Sequence, residues 1–555
     1  MMKFLDKIPF KLLLILLGAL LFIPFLGEVH LFDWDEINFA ESAREMLETG
    51  NYLQVQINYL PFSEKPPFFI WMQAISMHFF GVNEFAARLP NALIGIATML
   101  SLLAIGKRLK DKYFGLLWAL VYVSCFLPAL YFRSAIIDPV FNLFIFVGVY
   151  FASRLTENDE FIDRKMRRKS RNKAVLYSGF FIGLAVLTKG PVGLLLFSLC
   201  YLALFIFNRF KRLNSLWELI YFFIVCGITI SVWYGLEWYI NGPAFLIGFF
   251  ERHIALLTTQ DAGHGGPFYY HLIVLLMGCF PASIFLFGGI KNHKFSTGLL
   301  HNFQKWMLSL LIVVVLVFSL VQTKIVHYSS LAYFPLTFFA SYFIYYMLNG
   351  KRKWEWYHAA LFLFVGIVWG IAISLVPVLG KNVDVIIRII NGKDLFAESN
   401  LRAVVYWSFY ESLYGLFYIF ALVLAGIFFA VKQKRFGISL LLISTCLVIQ
   451  VVTILFTPKI EKYTQGAAIE FYQSKKGELC YIETLGFKSY APLFYAEKSK
   501  DLPYYSQQEL LNEYIEYPVY FVCKIDKKDQ YTEDFPQLEV LEEKNGFVFM
   551  QKQNY

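Results

Sequence analysis

The stretch "FDWDEINFAESAREM", residues 32–46, decides how this chain is read. It follows directly on an apolar run, 9–27, long enough to cross a bilayer as a helix. Three carboxylates, Asp33, Asp35 and Glu36, stand where the chain would leave the membrane. Beyond them Phe39, Ala43, Met46 and Leu47 recur at i, i+4, i+7 and i+8, which predicts an amphipathic helix lying on the membrane surface. A solvated loop would carry this charge at no cost. A catalytic or ion-binding site would also want it.

The rest of the chain makes the membrane setting firm. Of 555 residues, 58% are hydrophobic and only 16% charged, too little charge for a soluble chain of this size. Apolar stretches fall near 9–27, 90–106, 113–131, 136–153, 174–188, 190–208, 215–238, 268–290, 306–321, 325–348, 354–377, 409–431 and 436–456, which makes thirteen spans. Basic residues gather in alternate gaps, at 107–112, 164–173, 209–212, 291–294, 351–353 and 432–435. The gap at 28–89 instead holds nine acidic and three basic residues. Lysine and arginine mark the cytoplasmic side, so the net charge of +9 reports topology and is no nucleic-acid signal.

An odd number of spans starting inside ends outside. The reading is therefore a transmembrane domain, 1–456, with external loops at 28–89, 239–267 and 378–408, followed by an external domain, 457–555. In that tail "ELCYIETLG", "YPVYFVCKI" and "NGFVFMQK" read as short strands, with helices near 462–474 and 506–515, hence a small α/β domain. A disulfide between its Cys480 and Cys523 is open.

An ionisable residue beside an apolar span is a functional candidate, because burying it is costly. Outside the basic gaps these are Asp35, Glu36, Glu64, Lys65, Arg133, Asp138, Lys189, His264, His271, Lys324 and His327, with Tyr328 adjacent. Each has a plain alternative. Asp35 reads as a helix N-cap, Lys65 as a headgroup anchor, Asp138 as a partner for Arg133, Lys189 as a snorkelling lysine and His264 as a loop histidine. All of them nevertheless fall at the outer membrane surface and none at the midplane. A transporter keeps its polar groups at the midplane. An enzyme acting on a lipid-linked substrate needs lysines for phosphate and carboxylates for proton transfer at headgroup level.

The motifs "DWDEINFAESAREML", "SEKPPFFIW", "ARLPNAL", "IDPVFNLF", "TKGPVGLLLF" and "KIVHYSSLAYFPL", spread over about 30–340, resemble the polyprenyl-phosphate-dependent glycosyltransferases of the GT-C fold. The resemblance is closest to the bacterial lipid A aminoarabinose transferases, with the protein O-mannosyltransferases as relatives. It implies an enzyme of the bacterial inner membrane, its active site facing the periplasm. A sugar would move with inversion from a polyprenyl-phosphate donor, such as undecaprenyl phosphate, to lipid A or a related glycolipid. A protein or glycan acceptor, as in O-mannosylation, is the second possibility, and a transporter of lipid-linked sugars the third. Motif by motif it implies catalytic roles for Asp35 and Asp138 supported by Glu36. It implies donor-phosphate contacts from Lys65 and Lys189, to which charge and placement add Arg133 and Lys324, with Tyr328 near the donor pocket. Glu64 and His264 fall at positions that share a zinc ion in the aminoarabinose transferases, His271 being a further candidate ligand. No nucleotide cofactor is implied.

Overall fold

Backbone groups that leave water must pair within their own segment, so the apolar stretches fold as helices. The computed structural model describes residues 9–156, 164–210, 213–244, 247–249, 251, 265–291 and 298–553. Each of the thirteen apolar stretches falls on a helix or on two consecutive helices. Among the described residues seven helices are long and apolar enough to cross a membrane, or eight if the pair Tyr270–Gly278 and Ala282–Ile290, bent by 109°, is one span. Five shorter apolar helices of 10–17 residues join them, including Phe10–Phe22 and Asp138–Ser153. The protein is a multi-span membrane protein.

Local sequence sets where these helices start. Asn83 and Asp111 accept backbone N–H groups at the starts of Glu84–Leu109 and Lys112–Val123. Ser215 with Glu218, and Ser408 with Glu411, form reciprocal capping boxes. Small residues let helices approach closely. A Cβ on Gly106 would lie 2.5 Å from the Gly115 Cα, so these two glycines hold Glu84–Leu109 against its successor.

Residues 32–46 behave differently from the surface helix expected of them. Asp35–Thr49 is helical and ends at Gly50, whose φ of +71° closes it in the left-handed region. But every residue from Glu36 to Met46 is buried. Ile37, Phe39, Ala40, Ala43 and Met46 share one apolar cluster with Phe69 and Ile70, from helix Phe68–Phe80, and with Ile469, Tyr495 and Phe549 from the C-terminal part. The polar face is covered too. Arg44 forms a two-pronged pair with Glu41 (2.8 and 2.7 Å) and donates to the Lys498 carbonyl (3.2 Å). The helix is therefore a layer between the membrane bundle and the C-terminal segment.

That segment contains a four-stranded sheet. A two-residue hairpin, β1 (Gln56–Ile57) with β2 (Leu60–Pro61), precedes it in the chain. The sheet comprises β3 (Tyr481–Leu485), β4 (Val519–Lys524), β5 (Leu538–Lys544) and β6 (Phe547–Lys552), in the order β3-β4-β6-β5. β3 and β4 are parallel and the other pairs antiparallel. β5 was not expected, because "LEVLEEK" carries four charges, yet its edge position leaves those side chains in water. Cys480 and Cys523 are both free thiols.

Candidate functional site

Three turns converge on the site. "TKGP" places Lys189 as the last residue of helix Arg164–Lys189, and Gly190 at φ +87° ends that helix. "IDPV" makes Asp138 the first residue of Asp138–Ser153, with Pro139 in the first turn, so its carboxylate sits at the positive end of the helix dipole. "KIVHYSS" forms the 3-10 segment Val326–Ala332, which carries His327 and Tyr328. Asn91 fastens the approach to Asp138 by donating to the Ser134 and Ile136 carbonyls (2.7 and 2.6 Å). Asn142 donates to Ser330 (2.7 Å) and ties the second turn to the third.

There Lys189 Nζ donates to Asp138 Oδ1 at 2.7 Å. Asp138 is 2% exposed, and among the described residues its Oδ2 has no hydrogen-bond partner. His327 Nε2 lies 3.8 Å from that oxygen and 3.5 Å from Asp35 Oδ2, bridging the two carboxylates at distances that leave room to tighten. The Lys189 ammonium also stands over the rings of Tyr328 (5.4 Å) and Phe141 (5.7 Å). Lys65, before Pro66 and Pro67, lies in the same field. Burial lowers its pKa, Asp35, Glu64 and Asp138 raise it, and Lys189 lowers it. Asp35 is the first residue of its helix and makes no side-chain cap, so the N-cap reading does not hold.

Asp35, Asp138, Lys65, Lys189 and Tyr328 are thus brought together. His327, flagged in the sequence only as an ionisable residue beside a span, joins them. Its signal was position: it stands three residues from Lys324 and directly before Tyr328.

Three expected residues lie elsewhere. Glu36 is not exposed to a substrate. Its two oxygens accept from Arg88 Nε (3.0 Å) and Nη2 (2.8 Å), and from the backbone N–H of Ala135 (2.6 Å) and Phe32 (2.9 Å). Arg88 also donates to the carbonyls of Leu26, Val29 and His30 (2.9, 2.6 and 2.9 Å), so the pair pins the exit of the first span. Arg133 does not pair with Asp138. It donates to the carbonyls of Leu21 and Pro24, both at 2.8 Å, and to the side chain of Gln450. Lys324 closes the C-terminal end of helix Gly298–Leu320, donating to the carbonyls of Phe318, Ser319 and Val321. Asp33, the third carboxylate of the stretch, is exposed but accepts hydrogen bonds from Ser489 and Tyr490 of the C-terminal segment.

Of the metal candidates, His264 lies outside the described residues. Glu64 is half-buried beside Lys65. His271 is fully buried, and neither ring nitrogen is hydrogen-bonded among the described residues. Among the described residues no three His, Cys, Asp or Glu side chains cluster as a metal site.

Comparison with known proteins bears on the fold and the family. Residues 64–234 match the family described as dolichyl-phosphate-mannose-protein mannosyltransferase. The chain is 26% identical over 339 residues to the undecaprenyl phosphate-alpha-4-amino-4-deoxy-L-arabinose arabinosyl transferase of Wigglesworthia glossinidia brevipalpis, covering 60% of this chain and 58% of that one. To an enzyme of the same name from Pseudomonas fluorescens it is 30% identical over 290 residues, covering 51% and 50%. It thus spans between half and three-fifths of the length of these relatives. The crystal structure of ArnT from Cupriavidus metallidurans bound to undecaprenyl phosphate superposes with a TM-score of 0.72, at 18% identity, over 97% of both chains. The resemblance carried by the motifs therefore holds, and the chain has the GT-C fold of ArnT.

Proposed function

We propose that the protein is a membrane glycosyltransferase. It moves a sugar, most simply an aminopentose, from a polyprenyl-phosphate donor to lipid A or a related glycolipid. The observation that carries this reading is the union of a cationic cluster with an apolar groove. The groove, of about 460 Å3, is lined by Phe68, Trp71, Leu176, Phe180, Leu184 and Leu187, among others. Phe68 follows Lys65 by three residues and Leu187 precedes Lys189 by two. A prenyl chain in the groove would therefore carry its phosphate to two lysines. The names of the arabinosyl transferase relatives, and undecaprenyl phosphate in the ArnT crystal, support the same donor class.

In the inverting reaction an acceptor oxygen attacks the anomeric carbon. The bond from that carbon to the phosphate oxygen breaks, and the oxygen leaves with the electron pair. Lys65 and Lys189 stabilise the charge that develops on it. Asp35 and Asp138, with His327 between them, face the other partner. A hydroxyl acceptor gives up its proton to this group; a phosphate acceptor arrives ionised, and the carboxylates then stabilise positive charge on the sugar. A zinc ion held at Glu64 would supply Lewis acidity there, but the described residues offer too few ligands to hold one.

The thirteen-span topology, the boundary at 456/457 and a periplasmic site belong to the same proposal, supported by the alternation of basic gaps. Protein O-glycosylation is the second reading, favoured by the family match over 64–234. The test is purified protein in nanodiscs with undecaprenyl-phosphate aminoarabinose and lipid A. A mass gain of one aminopentose on lipid A is expected. Transfer to protein alone would select the second reading, and no transfer with any acceptor class would overturn the first.

A further inference from the structure

The end of the bundle remote from the site carries a separate feature. His327 and Leu348 are 21 residues apart along one nearly continuous helical run, about 32 Å at 1.5 Å per residue, which is the thickness of a hydrocarbon core. Around Leu348 the turns at 349–355 and 431–433 enclose a cavity of about 810 Å3. Four cations line it, Lys353, Lys432, Lys434 and Arg435, and no aspartate or glutamate does. Lys434 is engaged, donating to the Arg352 carbonyl at 3.1 Å. Among the described residues the side chains of Lys353, Lys432 and Arg435 make no hydrogen bond or ion pair, and all three are exposed. The wall is apolar: Trp354 stacks on Phe429 at 4.2 Å, and Phe436 is 65% exposed.

We propose that this groove binds the phosphate headgroup of an anionic phospholipid from the leaflet opposite the active site. Three cations that pair with no carboxylate among the described residues, from the two turns and the start of helix Lys434–Val451, supply the attraction. The Trp354, Phe429 and Phe436 wall receives the first acyl carbons, which a soluble phosphate lacks. Basic turns at a membrane surface are ordinary, but a cavity that concentrates them and excludes carboxylates is a place for one headgroup. The proposal needs only that the chain spans a membrane, so it stands apart from the transferase reading.

The test is native mass spectrometry of delipidated protein titrated with phosphatidylglycerol or phosphatidylcholine. Phosphatidylglycerol is retained preferentially, and the double variant Lys432→Ala/Arg435→Ala weakens that retention about tenfold. Lys107→Ala/Lys110→Ala removes equal charge from the C-terminal end of helix Glu84–Leu109, outside the groove, and leaves retention unchanged. Excess inorganic phosphate does not displace the lipid. Equal losses in the two double variants, equal retention of both lipids, or displacement by inorganic phosphate would each overturn the proposal. Thermal melting of each variant shows that the comparison is made on folded protein.

Discussion

Two buried carboxylates near the membrane exit, Glu36 and Asp138, both pair with a cation, yet they are built for different ends. Each Glu36 oxygen accepts two hydrogen bonds, from Arg88 and from backbone N–H groups. Asp138 has one oxygen on Lys189 and the other, unpartnered among the described residues, facing His327 at 3.8 Å. A saturated pair has nothing to offer a ligand, and it fixes the chain. An under-satisfied pair costs stability and keeps its charge available. The same contrast separates the cations: Arg133 and Lys324 hold carbonyls, whereas Lys65 and Lys189 face carboxylates.

The comparison breaks most visibly at Arg88. Arg88→Ala leaves the Glu36 carboxylate buried without its partner and should cost about 3–5 kcal/mol, read as a lower melting temperature in detergent. A melt like wild type would mean that Glu36 is not structural. Next comes Lys189→Ala, expected to lower the transfer rate on the order of 10²- to 10³-fold while shifting the melt far less than Arg88→Ala does. A rate loss no larger than its stability loss would erase the distinction. Lys324→Ala removes three carbonyl contacts and should cost about 1–3 kcal/mol, with donor affinity unchanged in a binding titration. Weakened donor binding there would return Lys324 to the phosphate site.

The smallest effect concerns the buried helix. Burial, with Glu41 alongside, raises the pKa of Glu45 well above the ordinary carboxylate value. A raised folded pKa means that the folded state holds the proton more tightly than the unfolded chain. Stability is therefore lost as pH rises from the unfolded pKa towards the folded one. Glu45→Gln should raise the melting temperature more at pH 8 than at pH 5, and an equal shift at both would refute the assignment.

The spans were legible because apolar length and basic gaps are local signals. Lys65, Lys189 and Asp138 were legible through "EKPP", "TKGP" and "IDPV", short turns that fix one side chain at a helix end. The partner of Glu36 was not, since Arg88 lies 52 residues away and the pairing depends on how the first two spans meet. Nor was the covering of helix 35–49, because the polar face of Glu41, Arg44 and Glu45 looks solvated until Arg44 and the C-terminal segment neutralise it. Sequence pattern reports what a segment wants from its surroundings, and cannot report which distant segment supplies it.

The central claim is that the under-satisfied cluster around Asp35, Asp138, His327 and the two lysines performs the transfer. Its most direct test is Asp35→Asn, nearly isosteric, assayed in membranes with a labelled polyprenyl-phosphate sugar. The account predicts transfer reduced on the order of 10²-fold or more with donor binding and melting temperature retained. Transfer at the wild-type rate would contradict it.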